Sequence, residues 1–546
     1  MAMPQDPSAL PRLSSRSGGA AIGTQLRLGA LRTPGKSAIE IHGGPRRSYA
    51  ELEQRSNRLA QAFLAQGLNR GDRVAIWLGN CLEYMETYLA CAKAGLVIVQ
   101  INIRHKSEEA RFQLEDSGAR LLVFCDVVAP YVEGLGLEFD LVLVATGQER
   151  IGRALSFEAL LSAGADALLP DPEDEDLLLI GYTSGTTGFP KGAELTHRSV
   201  KTLGQTNAIV NRYALASTQV FGLSLSFTAG IPAHVLTHLF VGGTTILLAE
   251  WDTERLVAAV EEHRATFTIL PSPPIVEFCE LAARYPTRIQ SLVGLLHGSS
   301  KAPPEHLELI VDTIGSRLIE GWGMTENSGG LLTATTSADY AGPRPGVFES
   351  VGTAAPDAVI RLVDDSGSLL EHDGDSVGQL VAHSSSLARG YWRNPAASAS
   401  TFRDGWYFTG DLGRVDADGY VYVLDRRTDL IISGGMNIYP SELERVILTL
   451  PGISECAVVA APHPRWGQTP VAFVVTAGGV TSDDVMQHCT RQLADYKKPV
   501  EVRVVSSLPH NTGGKILKHE LRATLAPVEA DPGSPARTAV GRHRRS

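Results

Sequence analysis

The stretch Leu177-Leu178-Leu179-Ile180-Gly181 followed by Tyr182-Thr183-Ser184-Gly185-Thr186-Thr187-Gly188-Phe189-Pro190-Lys191-Gly192 joins an apolar run to a segment of unusual chemistry. The last eleven positions hold three glycines, four Ser or Thr hydroxyls and one lysine. Such a composition packs poorly as helix or strand, but its backbone N–H groups, hydroxyls and ammonium suit phosphate oxygens. The apolar run reads as a buried strand feeding that loop. The nucleotide P-loop pattern requires Gly-Lys-Ser/Thr; here Pro190 precedes Lys191 and Gly192 follows it, so this is a different phosphate loop.

Working outward, 546 residues exceed what one core organises and predict two or more domains. A net charge of -11 argues against general binding to nucleic acid or anionic membrane, both of which need excess positive charge. Cys81, Cys91, Cys125, Cys279, Cys456 and Cys489 show no C-x-x-C spacing, which disfavours zinc or disulfide frameworks and fits a reducing cytoplasm. The longest apolar region, Ala229–Ala249, contains Pro232, two histidines and Gly242-Gly243. It reads as a buried helix, a turn and a strand Thr245–Leu248, not an integral membrane segment.

Strand-like runs alternate with amphipathic stretches: strands Arg73–Leu78, Leu96–Ile103, Ala119–Phe124, Phe267–Leu270, Leu292–Leu296 and Arg317–Ile319, helices Leu82–Gly95 and Arg111–Ser117. This pattern predicts an α/β fold with largely parallel sheets, whose ligands sit beyond the carboxyl ends of the strands. The loops 183–192, 297–303 and 321–326 each follow such a strand. Beyond Asp425 the units shorten: strand Val421–Leu424, helix Ser441–Leu450, strands Ala457–Ala460 and Val471–Thr476, helix Ser482–Leu493 and strand Glu501–Val505. They predict a small α+β domain. Ser441 and Glu444 have capping-box spacing. The acidic cluster Asp171–Asp176 reads as a solvated linker. Residues 1–22 read as a disordered leader and 526–546 as a disordered tail.

Several motifs, in order, make the chain resemble the adenylate-forming superfamily, which includes acyl-CoA synthetases, peptide-synthetase adenylation domains and firefly-type luciferases. The resemblance covers roughly residues 23–525. It implies a large N-terminal domain of layered α/β subdomains (23–424), a hinge (425–429) and a small mobile C-terminal α+β domain (430–525). The opening loop matches the family's phosphate signature, assigning Thr183, Ser184, Gly185, Thr186, Thr187, Gly188 and Lys191 to nucleotide binding. Gly321-Trp322-Gly323-Met324-Thr325-Glu326 matches the second nucleotide motif. Through it Trp322 would stack on adenine, Thr325 touch the α-phosphate, and Glu326, with Thr186, hold Mg²⁺. Trp406–Gly413 resembles the ribose motif, giving Asp411 the ribose hydroxyls, with Arg426 beside it. Gly298-Ser299-Ser300-Lys301-Ala302-Pro303 stands at the adenine-side loop, bringing in Ser299 and Ser300. Leu508–Lys515 resembles the motif of the catalytic lysine, which makes Lys515 that residue and Thr325 and Glu326 its companions in catalysis.

The reaction so implied has two steps: a carboxylate attacks the ATP α-phosphate to give acyl-adenylate and pyrophosphate, and a thiol then displaces AMP. The mixed anhydride removes the negative charge and poor leaving group that make a free carboxylate resist thiols. Placement and electrostatics carry the chemistry, and no enzyme nucleophile is needed. In the family the small domain rotates between the steps, and residues 425–429 match that pivot. The Ile432–Glu444 region resembles the acyl-CoA-synthetase version of its motif, and Gly434 and Gly435 permit close approach of a pantetheine arm. Coenzyme A is therefore the expected acceptor, a carrier-protein phosphopantetheine the alternative, and a homodimer is compatible with the resemblance. Two positions depart from the family: Phe227 stands where many members carry His, and Thr428 where the hinge is usually Asp or Lys. Phe227, Thr228, Gly230, Gly298, Gly321 and Gly329 are expected to line the acid pocket. Their small or apolar character predicts a hydrophobic monocarboxylate, fatty or aromatic, with only Lys301 able to pair a second carboxylate.

Overall fold

The computed structural model describes residues 21–136, 141–147, 151–183, 190–272, 274–298, 302–342, 344–434, 436–493, 495–510 and 515–525. Residues 1–20 and 526–546, most of the expected leader and all of the expected tail, lie outside that set. Ala21 is buried, and Ile22 begins the first helix, Ile22–Arg32. The chain divides into two compact units. One holds the described residues up to 360 together with 382–407, the other 361–381 and 408–525.

The first unit contains two large sheets. A seven-stranded sheet runs Leu155–Ser156, Val142–Ala145, Ala119–Phe124, Arg73–Trp77, Val97–Gln100, Leu177–Thr183, Lys191–Thr196. All its pairings are parallel except the last, where Lys191–Thr196 turns back on Leu177–Thr183. A nine-stranded sheet has Thr218–Phe221, Phe267–Leu270, Gly294–His297 and Leu318–Trp322 in parallel at its heart, with Thr244–Leu247 and Ser37–Ile41 beyond Thr218–Phe221. Parallel strands are covered on both faces, which explains why they read as continuous apolar runs.

One hydrophobic cluster draws on both sheets, through Ile76, Ile98 and Leu178 on one side and Phe221, Leu247 and Leu296 on the other. It includes Tyr49, Phe63, Tyr84 and Tyr88 from the helices Tyr49–Ala65 and Leu82–Ala94. Leu82–Ala94 is buried nearly all round, as its apolar composition requires. Its two fully enclosed charges are matched: Glu86 accepts from Arg47 Nε at 2.8 Å and Arg55 Nε at 2.6 Å, and Lys93 Nζ donates to Glu53 Oε2 at 2.6 Å and Asn57 Oδ1 at 2.7 Å. Burial still lowers the Lys93 ammonium to a pKa of about 8. The six cysteines are unpaired thiols, and burial raises the pKa of Cys81, Cys91, Cys279, Cys456 and Cys489.

Region Ala229–Ala249 is a one-turn π-helix Gly230–Val235, an α-helix Leu236–Val241, a Gly242-Gly243 turn with Gly242 at φ 79, and a strand Thr244–Leu247. Among the described residues, no helix is long and apolar enough to cross a membrane. The acidic segment is less solvated than its composition indicates. Asp171 pairs with Arg27 at 3.3 Å with little exposure, Asp176 pairs with Arg70 at 2.7 Å, and Glu175 pairs with Arg198. Basic residues distant in sequence supply these partners, and local composition carries no sign of them.

In the second unit, Gly467–Thr476 pairs antiparallel with Ile453–His463 and parallel with Glu501–Val505. The helices Pro440–Leu448 and Ser482–Gln492 complete a small α+β body. The Ser441–Glu444 capping box does not form. Pro440 sets the helix start, the Ser441 N–H donates to Asp425 Oδ2 at 2.8 Å, and Glu444 Oε1 is taken by the Val458 N–H at 2.7 Å and Lys518 Nζ at 2.7 Å. A charged partner outcompetes a local backbone bond.

Three histidines of the first unit are buried and held neutral: burial lowers His197 and His234 to pKa about 4 and His238 to about 3. His197 Nδ1 also accepts the Ile22 N–H at 3.2 Å, a bond that protonation there would abolish. Each folded pKa lies below the free value of 6.5, so the stability these groups contribute is complete above that value and is lost as pH falls toward 4. On the order of 2 kcal/mol per imidazole is forfeited by pH 5. The thermal midpoint of the first unit is therefore expected to drop several degrees between pH 7 and pH 5 in differential scanning calorimetry. A midpoint flat across that interval would show that these imidazoles charge without opening the core.

Candidate active site

The strand Leu177–Thr183 delivers Thr183, and its antiparallel neighbour begins at Lys191, with Thr183 opposite Lys191 and Tyr182 opposite Gly192. The two ends of the glycine-rich segment are thus fixed side by side. Ser184, Gly185, Thr186, Thr187 and Gly188 lie outside the described residues. Segment 388–392 runs along the outer strand: Glu194 N donates to Gly390 O at 2.9 Å, and Trp392 N to Gly192 O at 2.7 Å. Tyr391 is thereby placed with its ring 5.3 Å from Lys191 Nζ and its hydroxyl donating to Glu326 Oε1 at 2.7 Å. Burial, then the Glu326 carboxylate, raise the pKa of Tyr391, so it stays a donor.

Glu326 belongs to a short 3₁₀ turn, Thr325–Asn327, just after the strand Leu318–Trp322. Asn327 Oδ1 accepts the Met324 N–H at 2.8 Å, and its Nδ2 donates to Gly330 O at 2.9 Å, so one buried amide shapes the turn. Glu326 is 9% exposed, and its carbonyl accepts the Ala388 N–H at 2.7 Å. Trp322 is buried at the end of its strand.

Glycines define the neighbouring space by what they exclude. A Cβ on Gly181 would lie 2.8 Å from Thr228 Oγ1 and 3.0 Å from Thr325 Cγ2, which shows all three packed at one strand end. Gly329, at φ 81, leaves room for Ala229: a Cβ there would meet its Cα at 2.5 Å. Gly230 is similarly tight against the Ser224 carbonyl, at 2.8 Å, and its N–H donates to Phe227 O. Gly298 and Gly321 end adjacent strands, a Cβ on Gly298 standing 3.7 Å from Gly321 O. The structure thus gathers Thr228, Gly230, Gly329 and Thr325, and sets Gly298 beside Gly321. Ser299, Ser300 and Lys301 lie outside the described residues.

In the second unit, register sets Asp411 opposite Arg426 on the strands Trp406–Val415 and Val421–Arg426. Arg426 Nε meets Asp411 Oδ1 at 2.6 Å, and its Nη1 donates to Thr409 O at 3.1 Å. Asp411 is 3% exposed, and the Arg426 guanidinium sets an opposite charge directly against it. Burial and then Arg426 lower the Lys515 ammonium below the usual lysine value, opposed by Asp411 and Asp429, although its surface retains solvent access. Asp411, Arg426 and Lys515 therefore share one electrostatic neighbourhood. Asp429 is held by Arg522, and Asp425, whose pKa burial raises, accepts from Ser441. Gly434 is at φ 59 with its N–H donating to Trp466 O at 2.9 Å, and a Cβ there would press on the Trp466 ring at 3.0 Å. Gly435 lies outside the described residues.

Sequence reasoning missed Tyr391, whose pattern is unremarkable and whose role exists only through strand pairing. It also missed Ser272, His297 and Glu320, which meet at the carboxyl ends of three parallel strands. His297 Nδ1 lies 2.5 Å from Glu320 Oε2, and its Nε2 3.0 Å from Ser272 Oγ. The available signal was a polar residue ending each apolar run directly before Gly298 and Gly321.

The AMP-binding enzyme family matches residues 26–392, and the AMP-binding enzyme C-terminal domain matches residues 442–515. The chain is 35% identical over 509 residues to a feruloyl-CoA synthase of an Amycolatopsis species, covering 90% of this chain and 96% of that protein. It is 33% identical over 514 residues to the long-chain-fatty-acid–CoA ligase FadD13 of Mycobacterium tuberculosis, covering 92% and 98%. ATP-bound MatB from Rhodopseudomonas palustris has a similar structure, with TM-score 0.83 and 30% identity over 93% of this chain and 99% of that one. The o-succinylbenzoate CoA synthetase MenE of Bacillus subtilis, in complex with its acyl-adenylate intermediate, gives TM-score 0.81 at 27% identity over 91% and 97%. Similarity of this extent, across both family regions, places the chain among the AMP-binding enzymes, in the adenylate-forming acyl-CoA synthetase family.

Proposed function

We propose that this acyl-CoA ligase, which uses ATP and CoA, activates a hydrophobic monocarboxylic acid, aromatic or fatty. The observation that supports the acid class is the close backbone packing of Gly329 against Thr228 and Ala229, which gathers small and apolar groups beside Gly181 and Thr325. Relatives named for ferulate, long-chain fatty acids and indoleacetate agree with it. A carrier-protein acceptor is not favoured, since the full-length relatives are CoA ligases.

In this reading Lys191 and the glycine-rich segment hold the β- and γ-phosphates, Thr325 the α-phosphate, Trp322 the adenine, and Asp411 with Arg426 the ribose. Glu326 fits a hard divalent ion such as Mg²⁺, being a buried carboxylate whose Oε1 is oriented by the Tyr391 hydroxyl; Thr186 is its proposed companion. Such an ion supplies charge neutralisation at the phosphates. Lys515 stabilises the charge that develops as the acid oxygen attacks the α-phosphate. Gly434 and Gly435 admit the pantetheine arm, and residues 425–429 act as the hinge between 23–424 and 430–525.

Lys515→Ala is expected to slow adenylate formation by about 10²–10³-fold, as loss of one transition-state donor does elsewhere. Thioester formation from supplied acyl-AMP should change much less; equal losses in both half-reactions would remove Lys515 from the first step alone. For the acid class, AMP release is measured over a panel of fatty, aromatic and short dicarboxylic acids with CoA. Aromatic or fatty acids should lead in kcat/KM, and a preference for a short dicarboxylate would refute the apolar-wall reading.

A further inference from the structure

We propose that His42, Glu262 and His263 form a binding site for a divalent transition ion of the zinc class, separate from the nucleotide chemistry. His42 Nδ1 lies 3.4 Å from His263 Nε2 and 3.7 Å from Glu262 Oε2, and His263 Nε2 lies 3.9 Å from Glu262 Oε1. Among the described residues, these are the His, Cys, Asp or Glu side chains that converge as a trio, their donor atoms within 4.8 Å of one another. Zn–N and Zn–O bonds of about 2.0–2.2 Å in a tetrahedron put neighbouring donors roughly 3.3–3.6 Å apart. The His–His edge already has that length, and the carboxylate edges need a shift of a few tenths of an ångström.

The surroundings support the same assignment. The two imidazoles meet edge-on at 73°, so their in-plane lone pairs can converge on one point. His263 turns its other nitrogen, Nδ1, toward Glu40 Oε1 at 3.9 Å. A carboxylate behind a ligating histidine fixes its tautomer and raises its basicity. Both histidines stand on anchored backbone. His42 follows the strand Ser37–Ile41 and donates its N–H to Leu247 O at 2.9 Å, and His263 ends the helix Thr253–Glu262 and donates to Ala259 O at 3.0 Å. The negative end of that helix favours a cation. The imidazoles are mostly buried while Glu262 is 63% exposed, which gives an ion a path in and leaves room for a water ligand.

Nitrogen donors separate this site from the oxygen-rich surroundings expected for Mg²⁺. An ion here would clip the strand Ser37–Ile41, second from the edge of the nine-stranded sheet, to a covering helix, a stabilising role. The competing account is a hydrogen bond between the two imidazoles with no metal at all.

The test is isothermal titration calorimetry of the full-length, chelator-treated protein with Zn²⁺ in excess Mg²⁺, with Co²⁺ absorption as a second readout. One zinc per chain is expected, with a tetrahedral Co²⁺ band and a thermal midpoint raised by zinc. Glu40→Gln should weaken binding about 10-fold, in the range of losses from an outer-shell partner, and His42→Ala or His263→Ala should weaken it by more than about 100-fold. His42→Gln serves if the alanine variant misfolds by circular dichroism. CoA-ligase activity in Mg²⁺ should be unchanged in these variants. Absence of stoichiometric zinc binding, or binding that the histidine variants retain, overturns the site and leaves the proposed ligase chemistry untouched.

Discussion

The antiparallel return of Lys191–Thr196 onto Leu177–Thr183 is the constraint on which the first unit's site depends. An otherwise parallel sheet gains one reversed edge strand, and the reversal forces the ends of the glycine-rich segment together. The free outer side of that strand then accepts residues 388–392 through main-chain hydrogen bonds. Tyr391 is aimed at Glu326 only because this pairing holds, so a loop sequence, a sheet edge and an acidic side chain more than a hundred residues away become one device. Main-chain pairing is a suitable carrier for such an arrangement, since it fixes direction and register together.

Much of this was legible beforehand, for identifiable reasons. Ala119–Phe124 and Phe267–Leu270 were found at their true limits because buried strands are short apolar runs. The resemblance assigned Asp411 and Arg426 each to the ribose, but their direct ion pair at 2.6 Å was not foreseen. What escaped depends on contacts between distant segments. The His297–Glu320 pair is a product of parallel register, and no local periodicity announces it. Ser441 and Glu444 misled for the same reason: a correct local spacing was overruled by Asp425 and Lys518. Arg27 likewise draws Asp171 into a buried pair at one end of an acidic segment whose Glu175 and Asp176 stay more exposed.

Charge is handled differently in the two kinds of place. In the core, Glu86 meets Arg47 and Arg55 and Lys93 meets Glu53 at hydrogen-bond distance, and burial still lowers the Lys93 pKa to about 8. Near the proposed catalytic groups the balance is left unequal: Lys515 has Arg426 against it and Asp411 and Asp429 for it, and Tyr391 presses its proton onto Glu326. Under the proposed function, that imbalance is the feature an incoming phosphate would meet.

The state of the cysteines has a chemical meaning for an enzyme of this kind. An acyl-adenylate is an electrophile that any available thiolate can consume, and the protein carries its own thiols through every turnover. Burial keeps Cys81, Cys91, Cys279, Cys456 and Cys489 protonated. A protonated, enclosed sulfur is a poor rival for a mixed anhydride. Packing that looks merely structural therefore guards against self-acylation, and reserves the activated acyl group for the thiol that arrives from outside.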